Sequence, residues 1–340
     1  MNKQLTKGKL LNETGNLAEA GFAYDLVREY NRKDIKGMAF RIKEWDYYEF
    51  NSKDYGIALT VADNSYMSMV SVGFLDFKNK TSITRSYMKF FTFGKVNLPS
   101  TSKVGNIIYH DKNFNFEFLN DGNRRHLIVE FKKFTKFSDF RCDLFVEQTT
   151  DKTMVIATPF TKNKHFYYNQ KINNLVCNGE FQIGERKYPM KNAMGVLDWG
   201  RGIWTYNNTW YWSSCSAKDK EGNNIGFNLG YGFGDTSAAS ENMVFFNKEA
   251  YKLDDVTFLI PKDENGKYDY LKPWKVISKN NDIDLTFTPI LDRHDDTNLL
   301  VLCSLQHQVF GKYNGTIKVK NKTIKFNNII AFAERVQNKW

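Results

Sequence analysis

The sequence predicts an all-β protein of two consecutive antiparallel β-units, barrels or sandwiches packed together and related by internal duplication. Three observations carry this expectation. Apolar and polar residues alternate along most of the chain, the period of a strand with one buried face. Aromatic residues make up 16% of the 340 positions, and such side chains favour strands over helices. The segment Cys177–Trp204 lies without gaps over Tyr313–Trp340.

In chain order, residues 1–37 are expected to form an N-terminal extension. Only Leu17–Arg32 has helix-like spacing (Leu17, Ala20, Tyr24, Val27), and Gly15 and Gly21 disfavour a helix there. The first β-barrel unit is expected over 38–203, with strands at Gly56–Ala62, Tyr66–Phe77, Phe114–Leu119, His126–Phe131 and Phe140–Glu147. The second is expected over 204–340, with strands at Gly226–Phe233, Ile283–Thr288 and Leu299–Val309. Clusters such as Asn120-Asp121-Gly122-Asn123 and Lys220-Glu221-Gly222-Asn223 mark the turns.

The duplication sets Asn178 on Asn314, Gly179 on Gly315 and Trp204 on Trp340. Each copy reads as a hairpin, Asn178–Met190 and Asn314–Phe326, turning at Glu185 and Asn321. A weaker echo relates W-D-Y-Y-E-F at Trp45 to W-Y-W-S-S-C at Trp210, each followed by a glycine-led strand.

Composition narrows the classes. Apolar residues at 41% and charged residues at 25% describe a globular chain rather than a disordered one. The start M-N-K-Q-L-T-K-G-K-L has no apolar h-region, and the longest apolar runs, Leu299–Cys303 and Ile329–Ala333, are far below a bilayer span. A cytoplasmic location with no transmembrane segment is expected, with transient membrane contact left open. The net charge of +10 raises nucleic acid as a partner, but acidic residues interleave the basic ones, so none is expected. Cys142, Cys177, Cys215 and Cys303 lie too far apart for metal or redox motifs and read as reduced thiols. The five histidines form no ligand pattern, so no metal and no cofactor is expected. No G-x-S-x-G occurs, and the glycines of Gly226–Asp235 alternate within a strand rather than preceding a helix.

The candidate site is L-D-W-G-R-G-I-W-T-Y-N-N-T-W-Y-W-S-S, Leu197–Ser214, which holds four of the seven tryptophans. On an extended strand Asp198, Gly200, Gly202 and Trp204 share one face, and Leu197, Trp199, Arg201 and Ile203 the other. The two glycines leave a trough that a ligand or another backbone could enter. Asn207-Asn208 is expected to be a tight turn. Asp198 is the candidate acid, Arg201 its orienter, and Trp204 and Tyr206 the lining. Trp45, Asp46, Trp199, Trp210, Trp212, Asn228, Asp235, Glu241 and Asn242 complete the candidate ligand-binding set. Glu334, the repeat partner of Asp198, lacks the flanking glycines and is expected to be structural only. The same cluster also reads as core between two barrels, its charges paired locally.

K-E-W-D-Y-Y (Lys43–Tyr48), L-D-W-G-R-G-I-W (Leu197–Trp204), W-Y-W-S-S (Trp210–Ser214), G-F-N-L-G-Y-G-F-G-D (Gly226–Asp235) and S-E-N (Ser240–Asn242) resemble a bacterial family of unknown function. That family is grouped with double-barrel, lipocalin-like calycins, distantly similar to carotenoid 1,2-hydratase and tocopherol-cyclase-like proteins. The resemblance runs from Lys9 onward and implies two lipocalin-like barrels and a cavity for an apolar ligand. The D-W-G element here lacks the histidine of the distant relatives' D-x-W-G.

Three functions follow as expectations. The first is binding of a hydrophobic small molecule, lipid or isoprenoid-like, in a barrel cavity. The second is a hydratase, cyclase or isomerase in which a carboxylic acid protonates an olefin. The third is a glycan-binding or glycan-processing sandwich, which two carboxylates facing each other across a groove would favour.

Overall fold

In the computed structural model, which describes residues 2–299 and 302–339, alternation becomes strand pairing almost throughout. Along Phe140–Gln148, Phe140, Cys142, Leu144 and Val146 are buried and the residues between them are turned outward. The fold is two curled antiparallel half-barrel sheets, the duplicated lipocalin-like plan. The first runs in the order Thr81–Phe90, Met67–Asp76, Tyr55–Asp63, Lys43–Asn51, Arg186–Ile203, Phe166–Ile183, Phe140–Gln148, Arg125–Phe131, Phe114–Asn120, Ile107–Asp111. Met154–Pro159 pairs with Phe166–Ile183 off this path. The second runs Glu249–Lys252, Met243–Phe246, Asn224–Tyr231, Asn207–Lys218, Lys322–Lys339, Leu302–Val319, Ile283–Leu299, Trp274–Ser278, Val256–Leu259. Among the described residues no helix is long and apolar enough to cross a membrane.

The duplication extends to single bonds. Gly179 pairs with Met190, and Gly315 with Phe326. The Asn192 N–H donates to Asn178 Oδ1 at 2.9 Å, and the Asn328 N–H to Asn314 Oδ1 at 2.9 Å. Trp45 and Tyr47 stand opposite Gly200 and Asp198, as Trp210 and Trp212 stand opposite Val336 and Glu334. Trp340, the expected counterpart of Trp204, lies outside the described residues. Gly179 and Gly315 adopt φ of 126° and 134°, where a Cβ would stand 2.2 Å from the Asp143 carbonyl oxygen and 2.1 Å from that of Asp284. Gly179→Ala and Gly315→Ala should therefore each cost at least about 2 kcal/mol, by similar amounts. Thermal melts in which one substitution proved harmless would break the equivalence of the hairpins.

Three local expectations are corrected. Leu17–Arg32 forms no helix; Gly21–Ala23 pairs with Met154–Pro159, and Arg28–Glu29 with Gly8–Lys9. Burial of Phe22 and Ala23 in the strand outweighs weak helical spacing, and Gly21 has the Lys3 carbonyl oxygen 2.5 Å from where a Cβ would lie. Asn207-Asn208 is not a hairpin turn. The chain leaves the first sheet after Ile203, and Asn207–Lys218 pairs with Lys322–Lys339 of the second. The crossover bend is held by the Asn208 side chain, which donates to the Thr205 carbonyl at 2.6 Å and accepts from Thr205 Oγ1 at 2.9 Å. Finally, Leu299–Val309 is not one strand: Ile283–Leu299 and Leu302–Val319 form a hairpin, while Leu300 and Val301 lie outside the described residues.

Each sheet encloses its own core, the first around Phe50, Phe116 and Trp199, the second around Phe227, Trp274 and Phe287. Between the sheets lie two further apolar clusters. One joins Leu75, Phe77 and Val196 to Trp212, Phe310 and Phe332; the other joins Phe22, Ile156 and Tyr167 to Met243 and Phe245. A bulge between Ile172 and Leu175 aims Asn173 across the junction, where its amide donates to Ser214 Oγ at 2.8 Å and to the Cys215 and Phe227 carbonyls at 3.1 Å.

Candidate functional site

Three neighbouring strands of the first sheet build one side of the junction. Tyr47, Asp198 and Lys171 form a row across them, followed by Trp45, Gly200 and Asn169, then Lys43, Gly202 and Tyr167. The glycine trough is filled. A Cβ on Gly200 would stand 2.0 Å from the Trp45 indole, and one on Gly202 would stand 2.2 Å from the Phe166 carbonyl oxygen. Missing side chains here admit an indole and a neighbouring strand.

Asp198 is buried, and its Oδ1 accepts from Lys171 Nζ at 2.9 Å and from Asn169 Nδ2 at 2.6 Å. The same ammonium lies 3.7 Å above the Trp212 ring of the second sheet. An ammonium desolvated over an indole face gains cation–π attraction as well as its ion pair. Lys171 thus ties the two sheets together.

The second sheet presents Trp212, Glu334 and Gln308 in a row. Glu334 accepts from the Trp210 indole N–H at 2.9 Å and from Gln308 Nε2 at 3.1 Å. Burial pushes its carboxyl up to about 7, and the nearby Asp198 adds to the rise against the Trp210 hydrogen bond and the Lys171 charge. Glu241 is also shifted upward by burial of its carboxylate, against the Lys171 charge and a hydrogen bond from Asn228. Asn228 accepts from the Trp212 indole at 2.7 Å and donates to Glu241 Oε2 at 3.1 Å. Gly230 makes room for Glu241, whose Oε1 lies 2.6 Å from where a Cβ would be. Burial, joined by the charges of Asp198, Glu241 and Glu334, also raises the Tyr167 hydroxyl well above its ordinary value.

Aromatic rings close the site. Phe233 meets Phe160, Tyr167, Trp204 and Trp210 edge-on at 4.8–5.5 Å between centroids. Trp45 stacks on Tyr167 and meets Trp204 edge-on. Lys43, held well below the usual lysine range by burial, lies 5.1 Å over the Trp204 ring. The arrangement is three carboxyl groups around one buried ammonium, lined by indoles and phenyl rings. Such a site can keep a carboxylic acid protonated near neutrality and tolerate a cation forming beside it.

The structure brings together Asp198, Trp45, Trp204, Trp210, Trp212, Asn228 and Glu241 from the expected set. Others lie elsewhere. Arg201 does not orient Asp198, because residues three apart on a strand face opposite ways. It points into the first barrel, donating to Asp46 Oδ1 at 2.9 Å and to the carbonyls of Trp45 and Pro99, with its guanidinium 4.3 Å over Trp199. Arg201, Asp46 and Trp199 therefore belong to that barrel's interior. Tyr206 is 46% exposed, and Asp235 is exposed, accepting from the Ser237 N–H. Asn242 is buried as a backbone clamp, accepting from Gly230 N–H at 2.7 Å and donating to the Asp254 carbonyl at 3.1 Å.

Sequence reading missed Lys171, Asn169, Tyr167, Tyr47, Gln308 and Phe233, and set Glu334 aside as structural. A usable signal existed. Lys171 and Asp198 lie equally far from the Gly184-Glu185 turn, and because the two register shifts between turn and pair cancel, the hairpin sets them opposite each other. Among the described residues, no group of three or more His, Cys, Asp or Glu is placed to hold a metal ion.

No curated protein matches the sequence. Solved structures share the fold, among them the following two. Kievitone hydratase from Nectria haematococca matches with a TM-score of 0.55 and 11% identity, covering 99% of this chain and 98% of its own. A putative AttH from Nitrosomonas europaea matches with a TM-score of 0.53 and 11% identity, covering 92% of this chain and 96% of its own. The sequence itself matches, over residues 2–340, the family described as a domain of unknown function, DUF2804, and the chain belongs to that family.

Proposed function

We propose that this protein is a hydro-lyase-type enzyme that adds water to, or removes it from, an apolar olefinic small molecule at the junction of its two sheets. The carrying observation is Glu334, a buried carboxyl group lifted to about 7 and bonded to the Trp210 indole. A second raised carboxyl group, Glu241, shares the field of Lys171. In the hydration direction the Glu334 carboxyl gives its proton to one olefinic carbon as the C=C π bond opens. A water molecule forms the C–O bond at the other carbon, and its proton passes to the Glu241 carboxylate. Lys171, paired with Asp198, limits the negative charge of the site, and the indoles of Trp45, Trp204 and Trp210 face the developing cation. The shared fold with a hydratase supports this reaction class.

The test uses molecules that copurify with the native protein, together with a panel of apolar enones and allylic alcohols, incubated with enzyme in ¹⁸O-labelled water. Incorporation of one ¹⁸O with net gain of water supports the reading. A copurified olefinic ligand that the enzyme returns unlabelled and unchanged would overturn it in favour of simple binding.

A further inference from the structure

At the end of the first barrel, two chain segments far apart in sequence form one surface. Residues 31–42 and 85–95 together hold seven basic residues and one acidic residue, with Arg32 paired to Glu44 and Lys89 to Asp111. They are joined through Ser65. Its hydroxyl donates to the Ile42 carbonyl at 2.8 Å and accepts from Arg32 Nη2 at 2.7 Å, and its carbonyl accepts from the Phe93 N–H at 2.9 Å. Gly94 rests against the Arg32 guanidinium.

The same surface carries Met38, Phe40, Phe90, Phe91 and Phe93, each about half exposed or more, with Phe91 at 70%. Their outward aim is built in. Phe91 and Phe93 hold φ of 60° and 48°, a left-handed backbone that bulky residues rarely adopt. It is pinned by the Phe91 N–H to the Tyr66 carbonyl at 2.7 Å and by Thr92 Oγ1 donating to the buried Asp63 at 3.0 Å. Thr92 therefore turns inward and both rings turn out. Lys33, Lys89 and Lys95 are exposed on the same segments, Arg85 is exposed further along its strand, and Lys36 turns back to the Glu13 carbonyl. Aromatic rings beside exposed lysines suit the boundary of an anionic bilayer, where rings enter the acyl region and ammonium groups stay with the headgroups.

We infer that this rim is a docking surface for anionic lipid membranes. It adjoins the junction, since Arg41 of the same rim donates to the Trp204 carbonyl at 3.0 Å. On the reading proposed above, docking would bring an apolar substrate dissolved in a bilayer close to the Trp204 side of the junction.

The test is vesicle flotation of the full chain with phosphatidylcholine alone and with phosphatidylcholine mixed with phosphatidylglycerol. Binding is expected only to the mixed vesicles, and should weaken as salt is raised. The double substitution Phe91→Ser/Phe93→Ser should lower that binding by about tenfold or more, with an unchanged melting temperature because both rings are exposed. Equal flotation of the variant, or no binding to the anionic vesicles at low salt, would overturn the inference. So would a concentration-dependent dimer that the same substitutions dissolve, which would assign the surface to a second copy. None of these readouts depends on the proposed reaction, so the two readings stand or fall separately.

Discussion

Lys171→Met should lower the unfolding free energy by about 3–5 kcal/mol at neutral pH, because it removes the ammonium from a buried ion pair and strands the carboxylate. Methionine keeps most of the apolar stem over Trp212 but leaves Asp198 with Asn169 alone. Glu241 and Glu334 would lose the same positive charge, so their carboxyl groups should rise further. Adding Asp198→Asn should recover part of the loss by removing the stranded charge, a coupling that a double-mutant cycle in urea measures. A single-variant loss below about 1 kcal/mol would mean that solvent reaches the pair and screens it.

Glu334→Gln is expected to separate chemistry from folding. The amide keeps an acceptor for the Trp210 indole but cannot deliver a proton, so turnover should fall about a hundredfold or more. Its effect on stability should depend on pH. The carboxyl rises from 4.5 to about 7 on folding, so the native state holds a proton that the unfolded chain releases first. Its contribution is full below about pH 4.5 and is lost as pH rises toward 7, a change of about 3 kcal/mol. Wild-type stability should therefore fall across that window more steeply than that of the variant. Unchanged turnover in a folded variant, with identical pH curves, would remove Glu334 from the mechanism.

The legible part of this fold was what local chemistry dictates. Alternation at Phe114, Phe116 and Phe118, or at Ile283, Leu285 and Phe287, marks one buried face, and all six side chains are buried. The matched asparagines and glycines at 178–179 and 314–315 predict a repeated hairpin because both positions impose the same backbone and the same bond. Crowding of tryptophans around Asp198 likewise marked the junction. The expected turn at Asn207-Asn208 failed because asparagine's tolerance of tight geometry does not say which strand comes next in the sheet.

Partnership was decided only in three dimensions. Asp198 and Arg201 are three residues apart, yet the strand turns them to opposite faces, one to Lys171 and the other to Asp46. Glu334 is 136 positions from Asp198, yet both feel the Lys171 ammonium and both raise the Tyr167 hydroxyl. Basic residues that look scattered along the chain gather where residues 31–42 meet 85–95. Alternation specifies which face a side chain takes, a property of its own strand. Desolvation, pairing and field depend on what the opposing sheet places against that face, and only the packing of the two sheets supplies it.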